Sequence, residues 1–223
     1  MFQKIGETVG VSRFPARDQP AQSNIKMVKG NRWEDHYARR ARGEKWLARS
    51  VYKLKDIDKK YHLLSRGHRV LDLGCYPGSW SQYSIERVGP KGVVMGVDLR
   101  EPEGLQAQNF HFIKADVLQL DEEMLDREIG PIDVVISDLA PQTTGVKVVD
   151  NSRSMELARK ALNISTVILK REGHFLCKIF AGEDQKIFRD EFSHYFNQTR
   201  SLRPSAVRKG SRELYLLGLR FTK

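Results

Sequence analysis

The chain is 223 residues long, 40% hydrophobic, and carries a formal net charge of +10. That length suits one α/β domain with a sizeable core plus appendages, and two full domains would be crowded. No window approaches the ~18 apolar residues of a membrane span, so no membrane partner is expected.

The charge is unevenly placed. Residues 1–55 hold 13 Lys/Arg against 5 Asp/Glu, residues 200–223 hold 7 against 1, and the stretch between holds 18 against 22. A mildly acidic body flanked by basic ends fits a catalytic unit whose termini assemble a polyanion-binding surface. Tails that only keep the protein in solution are the plainer reading. Residues 1–30 are basic, contain Pro and Gln and lack an apolar signal-peptide core. They are expected to be a loose extension ahead of a single domain spanning 31–223. Cys75 and Cys177 lie in apolar runs without CxxC spacing, which predicts buried reduced thiols in a cytoplasmic protein. The histidines form no ligand-like cluster, and no metal is expected.

In chain order, Trp33–Arg40 reads as a short basic helix. A stronger helix is predicted over 49–63, where Val51, Leu54, Ile57 and Tyr61 recur at three- and four-residue spacing and Ser50 stands as N-cap. Strand-like runs follow at His68–Gly74, Gly92–Leu99, Phe110–Ala115, Ile132–Leu139, Gly173–Phe180 and Leu214–Phe221. Helical patterns at 79–88, 121–129, 152–170 and 183–196 separate them. Parallel strands need crossover connections, so this alternation predicts a Rossmann-like α/β fold, a mostly parallel sheet with helices on both faces. Segments near 198–203 and 213–221 are joined too tightly for a helix and should form an antiparallel C-terminal hairpin.

The first strand runs into a glycine turn, Gly74-Cys75-Tyr76-Pro77-Gly78-Ser79-Trp80. In open α/β sheets ligands bind beyond the carboxyl ends of the strands, and such a turn lets backbone approach them closely. A nicotinamide enzyme would show G-x-G-x-x-G here to cradle a diphosphate. Pro77 and Trp80 fit such a cradle poorly, and an adenosyl cofactor without a diphosphate, S-adenosyl-L-methionine, matches better. Asp98 ends the second apolar run and is placed to accept from ribose hydroxyls; Asp116 ends the third and is placed to accept from an adenine amino group. Asp138 ends the fourth, within Ser137-Asp138-Leu139-Ala140-Pro141, and should project into the cleft. Each aspartate alone would equally suit a cap or a turn. Lys178 interrupts the apolar run Phe175-Leu176-Cys177-Lys178-Ile179-Phe180, where an uncompensated charge would cost several kcal/mol.

Five segments together resemble the FtsJ family of RNA ribose 2′-O-methyltransferases, across about residues 49–222. They are Arg49-Ser50-Val51-Tyr52-Lys53-Leu54, the turn from Asp72 to Trp80 with Ser81-Gln82, the run from Ser137 to Pro141, the run from Phe175 to Phe180, and Arg203-Pro204 continuing through Arg208 and Ser211-Arg212-Glu213 to Tyr215. Cys75-Tyr76 and Ser79 depart from the Ala and Gly residues more familiar in that turn. The resemblance places the family's Lys-Asp-Lys-Glu catalytic set on Lys53, Asp138, Lys178 and Glu213. It implies cofactor contacts from Gly74, Gly78, Trp80, Asp98, Asp116 and Asp138.

In that set Lys178 is the implied proton acceptor, a role that asks a lysine to be neutral. Lys53 is implied to orient the hydroxyl or a phosphate, Asp138 to steer Lys178 and the cofactor, and Glu213 to hold a lysine. The resemblance further implies RNA as partner, most readily a uridine of large-subunit ribosomal RNA or a ribosomal particle, and a monomeric enzyme. Transfer RNA as substrate and a catalytically silent assembly factor are the alternatives. Arg39, Arg40, Arg42, Lys45, Arg49, Arg203, Arg208, Lys209 and Arg212 become candidate phosphate contacts.

Overall fold

Seven strands form one mixed sheet: β1 (Arg69–Leu73), β2 (Val93–Asp98), β3 (Phe110–Lys114), β4 (Ile132–Ser137), β5 (Leu169–Phe180), β6 (Phe196–Leu202) and β7 (Glu213–Phe221), in the order β3-β2-β1-β4-β5-β7-β6. The structure, a computed structural model, describes residues 32–223; the extension expected at 1–30 lies outside the described residues. Strands β1 to β5 run parallel, while β7 pairs antiparallel with both β5 and β6. The expected fold class and C-terminal hairpin are therefore present. Strand order reverses between β1 and β4, which opens a crevice beyond their carboxyl ends.

Strand alternation gives the sheet two apolar faces. One carries Val70, Val94, Val134, Ile136 and Leu176 against α2 (Val51–Tyr61) and α3 (Ser79–Val88), through Leu54, Ile57, Trp80 and Val88. The other carries Leu71, Val97, Val135, Phe175 and Cys177 against α4 (Glu122–Ile129), α5 (Lys147–Ile168) and α6 (Gln185–Ser193), through Leu125, Leu162, Phe188 and Phe192. Fully buried side chains of this size contribute about 1.5–3 kcal/mol each before entropy is counted. Both cysteines are buried, as expected. No helix among the described residues is long and apolar enough to cross a membrane.

Asp58 knits the first face together. Its carboxylate accepts from the Leu64 backbone N–H (2.9 Å), the Tyr83 hydroxyl (2.8 Å) and Arg87 Nε (3.0 Å), joining α2 to α3. The helix α1 (Arg32–Gly43) precedes a loop that Gln82 fastens: its amide accepts from Leu47 N (3.1 Å) and donates to the Lys45 carbonyl (3.0 Å).

Several expected boundaries move. Ser50 does precede α2, but its backbone is already helical and its side chain makes no cap; the hydroxyl instead meets Ser79 Oγ at 2.8 Å. The helix α5 starts at Lys147, five positions before the expected start at 152, because Asp150 turns back to bind Thr144 N (2.7 Å) and Oγ1 (3.0 Å). Strand β5 starts at Leu169, ahead of Gly173, through an irregularity in its pairing with β4 between Ile132 and Val134. The helix α6 ends at Ser193, and Phe196 belongs to β6. A 3-10 turn at Val117–Gln119 was not expected.

Candidate active site

Two ion pairs form where β4, β5 and β7 meet the start of α2. Lys178 lies on β5 on the α2/α3 face, in register with Tyr215 on β7. It is 6% exposed. Its Nζ lies 3.0 Å from Asp138 Oδ1 and donates to the Asp138 carbonyl at 2.5 Å. Lys53, in the first turn of α2 and also buried, places Nζ 2.7 Å from Glu213 Oε2 and 5.8 Å from the centre of the Tyr215 ring. The Tyr215 hydroxyl donates to Asp138 Oδ1 at 2.8 Å. Lys53, Asp138, Lys178 and Glu213 are thus brought together, with Tyr215 bridging the two pairs. No site role was read for Tyr215 from sequence, although its two-residue spacing from Glu213 put it on the same face of a strand.

Opposing effects act on Asp138. Burial pushes its carboxyl up, and the positive charges of Lys178 and Lys53, with the Tyr215 hydrogen bond, more than offset that and hold it below the usual range. The Tyr215 hydroxyl is pushed well above its ordinary value by burial and by the Asp138 and Glu213 charges, so it stays a donor.

A cleft of about 270 Å³ opens beyond β1, β2 and β4. Gly74, Tyr76, Asp98, Asp116, Asp138 and Leu139 line it, with Leu99, Ala115, Val117, Ala140 and Leu157. Gly74 holds φ +79°, and a Cβ there would lie 2.7 Å from the Leu139 side chain and 3.2 Å from its Cα, so only glycine lets the two turns approach this closely. Asp98 accepts from Tyr76 N through Oδ2 and from Arg100 N through Oδ1, both at 3.0 Å. Asp116 accepts from Leu118 N at 3.0 Å, so it caps the 3-10 turn and lines the cleft at once.

Two further expected cofactor contacts, Gly78 and Trp80, stand at the start of α3. Trp80 is 3% exposed, packs with the Tyr215 ring at 5.9 Å and donates to the Ser50 carbonyl at 2.9 Å, so its side chain supports the α2 start. At Gly78 (φ +108°) a Cβ would meet Pro102 and Leu47, which places its alpha carbon against the neighbouring loop.

Asp72 escaped the sequence reading as a site residue. It is completely buried beneath the turn, where Ser81 Oγ donates to Oδ2 at 2.6 Å while Oδ1 has no partner. Burial, with the Asp138 and Asp98 charges, pushes its carboxyl up to about 7.

The cleft suits an adenosyl cofactor of positive charge. Three carboxylates offer acceptors to hydroxyl and amino donors, and the aliphatic side chains offer a dry surface to a ring. Among the described residues no lysine or arginine lines it, so a dinucleotide's diphosphate would meet the three carboxylates without a cationic side chain to offset them. A second hollow, also about 270 Å³, opens on the far side of the ion pairs and is lined by Arg49, Ser50, Lys53, Arg208 and Glu213. Of the other basic candidates, Arg40 pairs with Glu44 (2.6 Å), Arg212 donates to Asn151 Oδ1 (2.5 Å) and Arg203 to the Ser211 carbonyl.

Residues 46–221 match the FtsJ-like methyltransferase family. A Bdellovibrio bacteriovorus protein named ribosomal RNA large subunit methyltransferase E is 45% identical over 188 residues, 83% of this chain and 95% of that protein. One of the same name from Desulfosudis oleivorans is 43% identical over 191 residues, 86% of this chain and 92% of its own. Among solved structures, a Plasmodium falciparum protein crystallised as a ribosomal RNA methyltransferase superposes with a TM-score of 0.70 at 26% identity, covering 79% of this chain and 98% of that one. A fibrillarin from Methanococcus jannaschii, at 18% identity and a TM-score of 0.54, shares the fold over 77% of this chain and 76% of its own. Members of the matched family use S-adenosyl-L-methionine, in keeping with the acidic cleft, and this chain belongs to the FtsJ-like methyltransferases.

Proposed function

We propose that this protein transfers a methyl group from S-adenosyl-L-methionine to the 2′-hydroxyl of a ribose, in a uridine of large-subunit ribosomal RNA. One observation carries this reading: the two ion pairs, each with its lysine buried, border two hollows of opposite character. The acidic cleft reaches Asp138, and the hollow holding Arg49 and Arg208 reaches Lys53 and Glu213. A cationic cofactor on one side and a phosphate-bearing substrate on the other would meet at these four side chains.

The bound cofactor supplies a methyl group already activated by a positively charged sulfur. What remains for the protein is to orient a hydroxyl that is a poor nucleophile while it keeps its proton. Lys178 Nζ, held by the side chain and the carbonyl of Asp138, takes that proton once it has released its own ammonium proton to solvent. Lys53 Nζ orients the ribose oxygen or its phosphate, and Glu213 holds Lys53. Tyr215 keeps the Asp138 carboxylate turned toward Lys178. Asp98 and Asp116 take the ribose and adenine of the cofactor, and Gly74 gives backbone access. Arg49, Arg208 and Lys209 contribute phosphate contacts that set register without reading sequence. The catalytic unit spans residues 31–223 and works as a cytoplasmic monomer. The names of the close relatives support the ribosomal substrate.

The test is methyl transfer from labelled S-adenosyl-L-methionine to large-subunit particles, large-subunit RNA and transfer RNA, followed by digestion to the modified nucleotide. A 2′-O-methylated uridine from the large subunit is expected. Label in transfer RNA alone would reassign the substrate. Tight RNA binding without transfer to any of the three would reassign the protein as an assembly factor.

A further inference from the structure

The Tyr76 side chain, in the turn after β1, is held at both its ring and its hydroxyl. Arg100 lies over the Tyr76 ring, with its guanidinium carbon 4.1 Å from the ring centre, and Arg100 Nη2 donates to the Tyr76 hydroxyl at 2.9 Å. The backbones of the same two residues hold Asp98 between them. Tyr76 N donates to one carboxylate oxygen and Arg100 N to the other, each at 3.0 Å. Tyr76 also lines the acidic cleft, whereas Arg100 stands outside it and is exposed to solvent.

From this arrangement we infer that Tyr76 and Arg100 form a clamp that sets how tightly this protein holds its adenosyl cofactor. The inference rests on the reading of the acidic cleft as the cofactor site. An alanine in place of Tyr76 would leave the turn tied to β2 by backbone alone, between two glycines in left-handed conformation, Gly74 and Gly78. Gly74 N and Cys75 N donate to the Val97 carbonyl and Tyr76 N to Asp98, and the Tyr76 side chain adds a fourth tie and a rigid wall to the cleft. A tyrosine has two side-chain torsions, and stacking plus the hydroxyl bond fixes both before any ligand arrives. The ordering cost that a mobile wall would impose on binding is thereby met during folding. Asp98 gains as well, because its two oxygens are aimed by donors that the clamp keeps in register. Tyr76 is thus a specificity-determining wall, and Arg100 a positioning residue that acts through it.

Calorimetric titration of the full chain with S-adenosylhomocysteine reads this without turnover. Tyr76→Ala is expected to weaken binding about tenfold, as loss of both wall and tie. Tyr76→Phe and Arg100→Ala should each weaken it about two- to fivefold, the scale of an exposed cation–ring contact and one hydrogen bond. In the Tyr76→Ala background, Arg100→Ala should add nothing, since its partner is gone. Thermal unfolding of each variant confirms that the fold persists. Affinity within twofold of the parent for Tyr76→Ala, or losses that simply add in the double variant, would overturn the clamp. Asp98→Asn is measured alongside. If it weakens binding while Tyr76→Ala does not, the clamp alone is wrong; if neither variant weakens binding, the cofactor reading of the cleft falls with it.

Discussion

Tyr215 and Lys178 share one oxygen. The phenol donates to Asp138 Oδ1 at 2.8 Å, and the same oxygen lies 3.0 Å from Lys178 Nζ. The two residues are also direct partners in the β5–β7 ladder, so the backbone register delivers both donors to one acceptor. A carboxylate fixed by two donors on adjacent strands cannot swing, and the amine it holds is placed to within the tolerance that in-line transfer demands.

Replacing the base should separate chemistry from binding. Lys178→Ala is expected to abolish detectable methyl transfer while S-adenosylhomocysteine affinity stays within a fewfold. It also leaves Asp138 unpaired beside a wet cleft, at a cost of about 2 kcal/mol, below the range for a dry buried pair. Single-turnover transfer with parallel titration checks both. Full activity in this variant would remove Lys178 from the reaction.

Tyr215→Phe deletes a single donor and no bulk. About 1 kcal/mol of stability should go with the hydrogen bond, and transfer should slow by about tenfold as Asp138 loosens its hold on Lys178. The slowing should appear in the maximal rate with little change in half-saturating cofactor concentration. A change confined to cofactor affinity would place Tyr215 in binding.

Asp72 predicts a pH profile of stability. Its carboxyl is pushed from 3.8 up to about 7 in the folded chain, so the folded state holds this proton more tightly than the unfolded state does. The stabilisation is complete below the unfolded value and is lost as pH rises through the folded one. The Tm of the cofactor-free protein should therefore fall between about pH 4 and pH 7 from this group, and Asp72→Asn, which still accepts from Ser81, should flatten that fall and raise the Tm at the alkaline end. A slope unchanged by the substitution would show that Asp72 is not its source.

Reversing charge beside the second hollow tests the RNA surface. Arg208→Glu combined with Lys209→Glu should weaken RNA binding and reduce the slope of log affinity against log salt by about 2. Cofactor affinity should not change. A salt slope identical to the parent would take this loop off the RNA path.

The parallel core was legible because β1, β2 and β4 are short apolar runs ended by glycine or aspartate, which strand period and turn chemistry both mark. The aspartates at those ends duly gather at one crevice. Lys178 was legible for the opposite reason, as a charge in an apolar run. The direction of the Trp80 ring was not legible, because an aromatic beside a glycine turn says nothing about which way its ring points, and packing against Tyr215 turned it inward. The early start of α5 was hidden because Asp150 binds backward to Thr144, a local bond that hydrophobic spacing does not record. Asp72 was hidden inside the run that identified the strand: period places it on a face, but the missing partner of Oδ1 exists only in three dimensions.

Glu213 and Lys53 are 160 positions apart in the chain yet joined by one ion pair, and β7 reaches its place only by inserting between β5 and β6. The complete set of four side chains therefore exists only once β7 is seated in the sheet. The residues that line the cofactor crevice all precede β5, so a chain without β7 keeps that lining and lacks the residue that holds Lys53.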